Sequence, residues 1–120
     1  MTAERITAWP AQALVVMPDV FLRSQRAAIL HLAARNRLPA VYAAREWADA
    51  GGLVSYGPSQ VRLYERAAWF VDRILRGASP ADLPFEQPTN FELVVNTTTA
   101  HNLGLAIPPN VAAVATELVQ

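Results

Sequence analysis

The sequence predicts an α/β fold with a parallel β-sheet and flanking helices. Residues 13–17 (ALVVM) form an apolar run with β-branched members, which is typical of a strand buried on both faces. A helical stretch and a second short strand follow within about 30 residues, as in a βαβ unit. A long amphipathic segment, 59–77, then lies between further short strands. Alternating strands and helices of this kind favour a parallel sheet covered by helices.

The first half of the chain contains the predicted βαβ unit. Ser24 is expected to cap a helix that runs to about Asn36, because serine hydroxyls accept a hydrogen bond at helix starts. Asn36 is a plausible stop, with Pro39 soon after it. Residues 39–43 (PAVYA) form the second strand, and the connection between the strands should be right-handed.

The stretch 51–77 organises the middle of the chain. A glycine pair closes a short helix at 45–50, and residues 53–56 form a third strand that ends in a corner at 56–58 (YGP). The following helix carries apolar residues at the i, i+3, i+4, i+7 spacing of a broad buried face, and Gly77 ends it. Its apolar positions are Val61, Leu63, Tyr64, Ala67, Ala68, Val71, Ile74 and Leu75.

The last third returns to the sheet. Residues 78–90 hold three prolines and form an extended connection. A fourth strand is predicted at 91–95 and a short helix at 97–103, which Gly104 stops. A final helix should begin at the proline pair 108–109 and end near the C-terminus.

Composition excludes several classes of function. The 120 residues carry ten Lys plus Arg, all of them arginine, and ten Asp plus Glu, so the basic footprint of a nucleic-acid-binding protein is absent. Without cysteine there are no disulfides and no Cys-ligated metals. The hydrophobic share of 52% is high for so short a chain, which predicts apolar surface covered by other parts. No apolar run approaches the roughly 18 residues of a membrane span.

The sequence carries no catalytic or metal-binding pattern. His31 and His101 stand alone, without a second ligand at metal spacing. A Gly-x-Ser-x-Gly nucleophile elbow and the phosphate-loop fingerprints are absent. We therefore expect a protein that is not an enzyme and that holds no metal and no cofactor.

Three stretches together resemble the C-terminal part of the substrate-binding proteins of ABC transporters, in the branch of tryptophan and related amino-acid binders. They are GGLVSYG at 51–57, ILRGASPADLP at 74–84, and FELVVN at 91–96 with LGLAIPP at 103–109. The resemblance implies the C-terminal part of a two-lobe periplasmic-binding-protein type I fold, incomplete in this chain. In that fold, crossing strands join two α/β lobes and the ligand binds in the cleft between them.

The resemblance also implies a division of the chain and a location. Residues 1–56 would be a second-lobe segment that ends at the interlobe crossing, 57–90 a first-lobe helix and its return, and 91–120 a second-lobe strand with C-terminal helices. The rest of the first lobe and an export signal would lie upstream, which implies a periplasmic protein. The chain as written shows no secretory signal, because Pro10 interrupts its N-terminal segment, and on its own it would remain cytoplasmic.

Candidate ligand-binding residues follow the predicted strands, because ligands of open α/β sheets bind beyond the carboxyl ends of strands. Asp19 could hold a ligand amine, or it could belong to the turn and cap the next helix. Tyr56 could present its ring or hydroxyl to the cleft, and Ser55 is a further candidate. Tyr56, Gly57 and Pro58 are also the expected hinge, since glycine permits unusual backbone angles and proline stiffens the exit.

Two more candidates follow the second strand. Tyr42 could contact the ligand, and Arg45 could bind a ligand carboxylate with both arms of its guanidinium. The alternative for Arg45 is an exposed pair with Glu46 at a helix start. Trp47 is expected to serve in packing rather than in stacking on a ligand.

The function implied by the resemblance is that of a solute-binding component of an ABC transporter, which closes two lobes around a small organic solute. Its partners would be that solute and the membrane subunits of the transporter, with no nucleic acid. Two alternatives remain: a truncated product that does not bind, and the ligand-sensing domain of a transcription regulator with the same fold. Exposed apolar surface would also make self-association possible.

Overall fold

A five-stranded mixed sheet is the centre of the fold in the computed structural model, which describes residues 10–120. The spatial order of the strands is their order in the chain. The first three are mutually parallel, the fourth is antiparallel to the third, and the fifth is parallel to the fourth. The strands are β1 Leu14–Val16, β2 Ala40–Tyr42, β3 Val54–Pro58, β4 Phe91–Asn96 and β5 Glu117–Val119. The α/β class is confirmed, with the reversal at β4 as a departure from a purely parallel sheet.

Six α-helices and one short 3₁₀ turn connect these strands within the described residues. They are α1 Val20–Ser24, α2 Arg26–Arg35, α3 Arg45–Asp49, α4 Gln60–Leu75, the 3₁₀ turn Pro80–Asp82, α5 Thr97–Leu103 and α6 Pro109–Val114. Helix α4 ends as predicted, with Gly77 in the left-handed region at φ 98°, and α5 ends at Gly104 with φ 73°. No helix in residues 10–120 combines the length and apolar character needed to cross a bilayer.

The first helix begins earlier than the sequence predicts. Asp19 caps it, because its Oδ1 accepts a hydrogen bond of 2.9 Å from the backbone N–H of Leu22. The hydroxyl of Ser24 donates instead to the carbonyl of Phe21, at 2.7 Å. The predicted cap at Ser24 is therefore wrong, and the aspartate after β1 starts the helix in its place.

The core lies between one face of the sheet and the helices α2 and α3. It contains Val16 and Tyr42 from the strands, Ala33 from α2 and Trp47 from α3. The Tyr42 and Trp47 rings stack with centroids 4.8 Å apart and planes at 12°. The expectation that Trp47 is a packing residue is confirmed.

The opposite face of the sheet is open over the first strands. Val15 of β1 lies in register with Val41 of β2 and is 67% exposed, and Val41 is exposed as well. On β4, Val95 points to the same side and is buried. The prediction that β1 is buried on both faces is therefore wrong for the described residues. An apolar run of this kind cannot tell a covered face from an open one by its composition.

The corner predicted at 56–58 is a continuation of β3. Tyr56, Gly57 and Pro58 pair with β4, in register with Leu93, Glu92 and Phe91 respectively. Gly57 does not have a positive φ; instead, a Cβ added to it would lie 1.9 Å from the carbonyl oxygen of Ala43. Glycine is required here because the backbone after β2 passes close to β3, and the unusual backbone angles expected from the sequence are absent.

Helix α4 extends away from the sheet. It has 16 residues, and none of them is buried in the described part of the chain. We call its outermost apolar row the α4 stripe, which consists of Val61, Tyr64, Ala68, Val71 and Leu75. All five side chains are exposed. The radius of gyration of 17.8 Å exceeds the roughly 13.5 Å of a compact domain of this length, as expected from an extended arm.

The C-terminus contains a strand where the sequence predicts helix. Helix α6 ends at Val114, and β5 follows it and pairs in parallel with β4. The backbone N–H of Thr116 donates to the carbonyl of Leu93 at 2.7 Å, which leads the chain into the ladder. The prediction of a helix up to the C-terminus is wrong, since only its first part is helical.

Candidate functional site

A cavity of about 660 Å³ lies at the carboxyl ends of β1, β2 and β3. Its floor is the open face of the sheet, with Val15, Val41, Tyr56 and Phe91 from four successive strands. Its rim is polar, with Asp19, Arg23, Glu46 and Gln60. Ligand pockets combine an apolar lining with a few polar groups in this way, so the arrangement suits a small amphipathic molecule.

Asp19 lies at the cavity rim, directly after β1. Its Oδ1 is engaged in the helix cap described above. A carboxylate can accept several hydrogen bonds at once, so this cap does not exhaust its capacity. The structure thus bears out the capping role that the sequence offered as an alternative, while contact with a ligand amine stays a prediction.

Tyr56 forms part of the cavity floor together with Phe91. The two rings stack across β3 and β4, with centroids 5.6 Å apart and planes at 23°. Tyr56 is 57% exposed and Phe91 is 49% exposed. Diagonal pairs on one face of an antiparallel ladder are within reach of aromatic side chains, which explains the contact. The result is an aromatic surface that faces the cavity.

Tyr42 and Ser55 are register partners on the covered face of the sheet. Tyr42 is 2% exposed, and this burial raises the pKa of its phenol to about 12. Ser55 is fully buried and does not line the cavity, and its hydroxyl has no hydrogen-bond partner among residues 10–120. Tyr42 contributes to the cavity lining although it is buried, whereas Ser55 does not line the cavity, and contact of either side chain with a ligand stays an untested prediction.

Arg45 lies outside the cavity and is paired with two carboxylates. Its Nε is 3.3 Å from an oxygen of Asp49, and its Nη1 donates to Glu117 at 2.6 Å. The bond to Glu117 raises the pKa of Arg45 and lowers the pKa of Glu117. The predicted pair of Arg45 with Glu46 is therefore wrong, because Arg45 pairs with Asp49 and Glu117 while Glu46 binds Arg23.

Sequence reasoning missed the ion pair at the cavity rim. Arg23 Nε lies 2.7 Å from Glu46 Oε1, and its Nη2 donates to Oε2 at 2.9 Å, a two-point contact. Arg26 lies 4.0 Å from the same carboxylate. Two guanidinium groups on one carboxylate leave an excess of positive charge beside the cavity. The sequence predicted a helical position for Arg26 but not for Arg23, and it did not indicate that both would share Glu46 as a partner.

The exit of β3 and β4 lies beside this site. The last pair of the ladder joins Pro58 to Phe91, and the N–H of Ser59 donates to the carbonyl of Asn90 at 2.9 Å. Helix α4 begins at the next residue. Two antiparallel chain segments therefore leave the sheet together at the predicted hinge residues Tyr56, Gly57 and Pro58, while hinge motion itself stays a prediction.

A larger cavity of about 800 Å³ lies between α4 and the segment 84–90, beyond the points where the chain leaves β3 and enters β4. Its lining has two arginines: Arg66 is bound by Glu86 and covers the ring of Trp69 at 3.7 Å, and Arg62 pairs with Glu65. We favour the sheet-edge cavity because its polar groups converge at the carboxyl ends of parallel strands. Within residues 10–120, no cluster of three or more His, Cys, Asp or Glu side chains could hold a metal ion.

Comparison with known proteins identifies the family. A family model described as ABC transporter substrate binding protein matches residues 2–119. No curated protein sequence matches the chain significantly. The family consists of substrate-binding proteins and not of enzymes.

Three solved structures are similar to the chain. A conserved domain protein from Vibrio cholerae shares 27% identity with a TM-score of 0.85, over 97% of this chain and 38% of its own. An ABC domain in complex with L-Trp from Streptococcus pneumoniae shares 25% identity with a TM-score of 0.88, over 98% of this chain and 40% of its own. A ligand-free, open substrate-binding protein with adhesive properties from Clostridium difficile shares the fold, at 22% identity and a TM-score of 0.68, over 98% of this chain and 40% of its own.

The chain thus spans about 40% of the length of these solved structures. Its matches cover nearly all of its own residues, so the partial coverage reflects length and not a local similarity. The match of the family model over residues 2–119 and the agreement of the fold lead to one conclusion: the chain belongs to the ABC transporter substrate-binding protein family.

Proposed function

We propose that the chain is part of the solute-binding component of an ABC transporter and that the sheet-edge cavity forms one wall of its solute site. The observation that carries the proposal is the cavity itself, with an apolar floor and a polar rim at the carboxyl ends of β1–β3. The relative in complex with L-Trp supports an organic solute of similar size. The proposed partners are that solute and the membrane subunits of the transporter, and the proposed location is periplasmic, as for the family.

Within this proposal, Asp19 and Tyr56 contact the solute. The carboxylate at the rim would receive an amine or hydroxyl, and the ring on the floor would cover an apolar part. Contacts by Tyr42, Ser55 and Arg45 have weaker support, because two of these side chains are buried and the third is paired with carboxylates.

The proposed mechanism is hinge closure of two lobes. Residues 1–56 and 91–120 would belong to one lobe and residues 57–90 to the other, with the hinge at Tyr56, Gly57 and Pro58. The joint exit of β3 and β4 supports this division, since paired strands can bend together without breaking their ladder. A solute that contacts both lobes favours the closed state by its difference in affinity for the two states.

The α4 stripe supports a second part of the proposal, which is that another part of the complete protein covers this exposed apolar row. An isolated helix of this length is only marginally stable in water, so its apolar row needs a covering partner. In the complete two-lobe protein, that partner would be the remainder of the first lobe. If the chain occurs without it, we expect self-association through the stripe, which sedimentation velocity would detect.

The test is solute binding by the purified 120-residue chain. We expect amino acids or related small solutes to raise the thermal unfolding midpoint, since a ligand that binds only the folded state stabilises it. Asp19→Asn is the matched variant, because asparagine retains the helix cap while the charge is removed. It should weaken the binding of amine-bearing solutes about tenfold and leave the midpoint of the free protein unchanged.

The control is Asp82→Asn, which removes an exposed carboxylate that does not line the cavity. It should leave both binding and stability unchanged. If none of the solutes changes the unfolding midpoint of the folded chain, this stretch does not bind by itself, and the non-binding alternative holds. If binding is present but Asp19→Asn and Asp82→Asn behave alike, solute binding stands and the role of Asp19 is wrong.

A further inference from the structure

A smaller cavity of about 280 Å³ lies on the covered side of the sheet, between the end of α2, the start of β2 and helix α5. Of its lining residues, only Tyr42 also lines the sheet-edge cavity. Its walls are mostly apolar, with Leu30, Leu38, Leu53 and Leu103. Among residues 10–120 its lining contains one charged side chain, Arg37, and no Asp or Glu. The cavity thus combines apolar walls with a single positive charge.

Arg37 has a backbone conformation that favours glycine. Its φ is 52°, and no other non-glycine residue in the described part of the chain has a positive φ. The end of α2 imposes this conformation, because the N–H of Arg37 donates to the carbonyl of Ala34 at 3.1 Å. The N–H of Leu38 donates to the carbonyl of Ala33 at 2.9 Å and completes the turn. Helices α4 and α5 use glycine at this point, which avoids the close contact between Cβ and a carbonyl oxygen. The turn itself therefore does not explain the arginine.

The guanidinium of Arg37 forms no ion pair with any acidic side chain of residues 10–120. The arginines that line the two larger cavities differ from it, because each of them binds a carboxylate. Helix α5 adds polar groups to the same small cavity. The hydroxyl of Thr99 donates to the carbonyl of Gly51 at 2.9 Å, and the exposed amide of Asn102 provides further N–H donors. Two elements thus offer donors to a cavity that lacks a carboxylate of its own.

We propose that this cavity is a second binding site, which takes a small carboxylate with a short aliphatic chain. The carboxylate accepts hydrogen bonds from the guanidinium of Arg37, whose N–H groups match the spacing of two carboxylate oxygens. The aliphatic chain contacts the leucines of the walls. The volume lies just below the roughly 300–1,000 Å³ of pockets for drug-sized ligands, so the site suits a molecule of a few carbon atoms. This inference is independent of the proposed solute site, since the two cavities lie on opposite faces of the sheet.

The test uses sodium butyrate as the probe and the purified 120-residue chain. Butyrate should raise the thermal unfolding midpoint, whereas sodium chloride at equal ionic strength and n-butanol at equal concentration should not, because each lacks one half of the recognised group. Arg37→Gln removes the charge and should weaken butyrate binding about tenfold in ligand-observed NMR, as expected for the loss of a hydrogen bond to a charged group. Arg37→Gly should weaken binding as well and should not lower the midpoint of the free protein, because glycine relieves the strained backbone.

The matched control is Arg35→Gln, which removes an exposed arginine of the same helix that does not line the cavity. It should leave butyrate binding unchanged. Equal stabilisation by butyrate and chloride, equal effects of Arg35→Gln and Arg37→Gln, or no binding of butyrate at all would each overturn the inference. Amino-acid binding at the sheet-edge cavity should be the same in Arg37→Gln as in the parent. Binding of amino acids without butyrate therefore removes only this inference, and binding of butyrate without amino acids supports it while the proposed function fails.

Discussion

The substitution Gly57→Ala tests the close approach between β3 and the backbone that follows β2. The added Cβ would lie 1.9 Å from the carbonyl oxygen of Ala43 and 2.9 Å from its carbonyl carbon. Ordinary van der Waals contact begins at 3.4 Å, so one of the two segments must move by about 1.5 Å, the difference between 3.4 and 1.9. The obstacle is backbone, which cannot rotate away as a flexible side chain can.

The energetic cost follows from what that movement disrupts. Gly57 lies within the β3–β4 ladder, and Ala43 links β2 to α3, which carries the core residue Trp47. Overpacking usually costs about 1–3 kcal/mol, and more where the surroundings cannot relax. With paired strands on one side and the core on the other, we expect Gly57→Ala to lower the free energy of unfolding by about 3 kcal/mol or more. This is a large share of the about 5–15 kcal/mol of a typical domain.

The assay is urea unfolding followed by circular dichroism, with Gly77→Ala as the matched control. Gly77 has a positive φ of 98° and nothing within 4 Å of an added Cβ, so its substitution introduces backbone strain without a clash. That strain should cost about 1–2 kcal/mol. If Gly57→Ala proves no more destabilising than Gly77→Ala, then Ala43 does not approach β3 as closely as described and the reasoning fails.

Three further predictions concern the buried phenol, the cap of α5 and the ion pair at β5. Tyr42 has a folded pKa of about 12 against an ordinary 10.0, so its contribution is complete below pH 10 and is lost as the pH rises towards 12. That difference amounts to about 3 kcal/mol of unfolding free energy, and Tyr42→Phe should abolish the alkaline decline in urea titrations; a decline that persists in the variant would contradict this. Asn96 accepts the N–H of the third residue of α5 at 2.8 Å and donates to the last-turn carbonyl of α3 at 3.1 Å. Asn96→Ala should cost about 2–4 kcal/mol, whereas the exposed Asn102→Ala should stay within about 0.5 kcal/mol; similar midpoints for both would contradict the double role. Glu117 has a pKa below its ordinary 4.5 because of Arg45, so the pair stabilises the fold above that pH and is lost as the pH falls through the folded pKa. Glu117→Gln should therefore be less stable than the parent at pH 7 and equal to it in acid; a difference that persists in acid would contradict this.

Local signals predicted most of the fold. Short stretches of sequence are enough to predict the helix ends at Gly77 and Gly104, the proline-rich connection and four of the five strands. Strand β5 could not be predicted in this way, because three residues are too few to show a strand pattern and the segment becomes a strand only by pairing with β4. The start of α1 was missed because Asp19 and Ser24 are both good caps, and the choice between them depends on where β1 ends.

Site residues that lie near the end of a strand could be predicted from the sequence. Site residues that reach the cavity only through the pairing of two strands could not. Asp19 and Tyr56 line the cavity as residues near strand ends should. Phe91 joins them only because the ladder pairs it with Pro58, which sets it diagonally opposite Tyr56. Arg45 was paired with the wrong glutamate, because Glu117 reaches it through a strand that the sequence did not reveal.

The order of the strands in the sheet, which is also their order in the chain, has a consequence for how the protein folds. Each strand can add to the edge left by its predecessor, so β1, β2 and β3 can assemble while later residues are still being synthesised. The addition of β4 comes next, and it requires residues 59–90, which include α4, to close into a loop. This loop must close before β4 can form any hydrogen bond with β3. We expect that closure to limit the folding rate, so that shortening the arm accelerates refolding while changes in the β1–β2 connection do not.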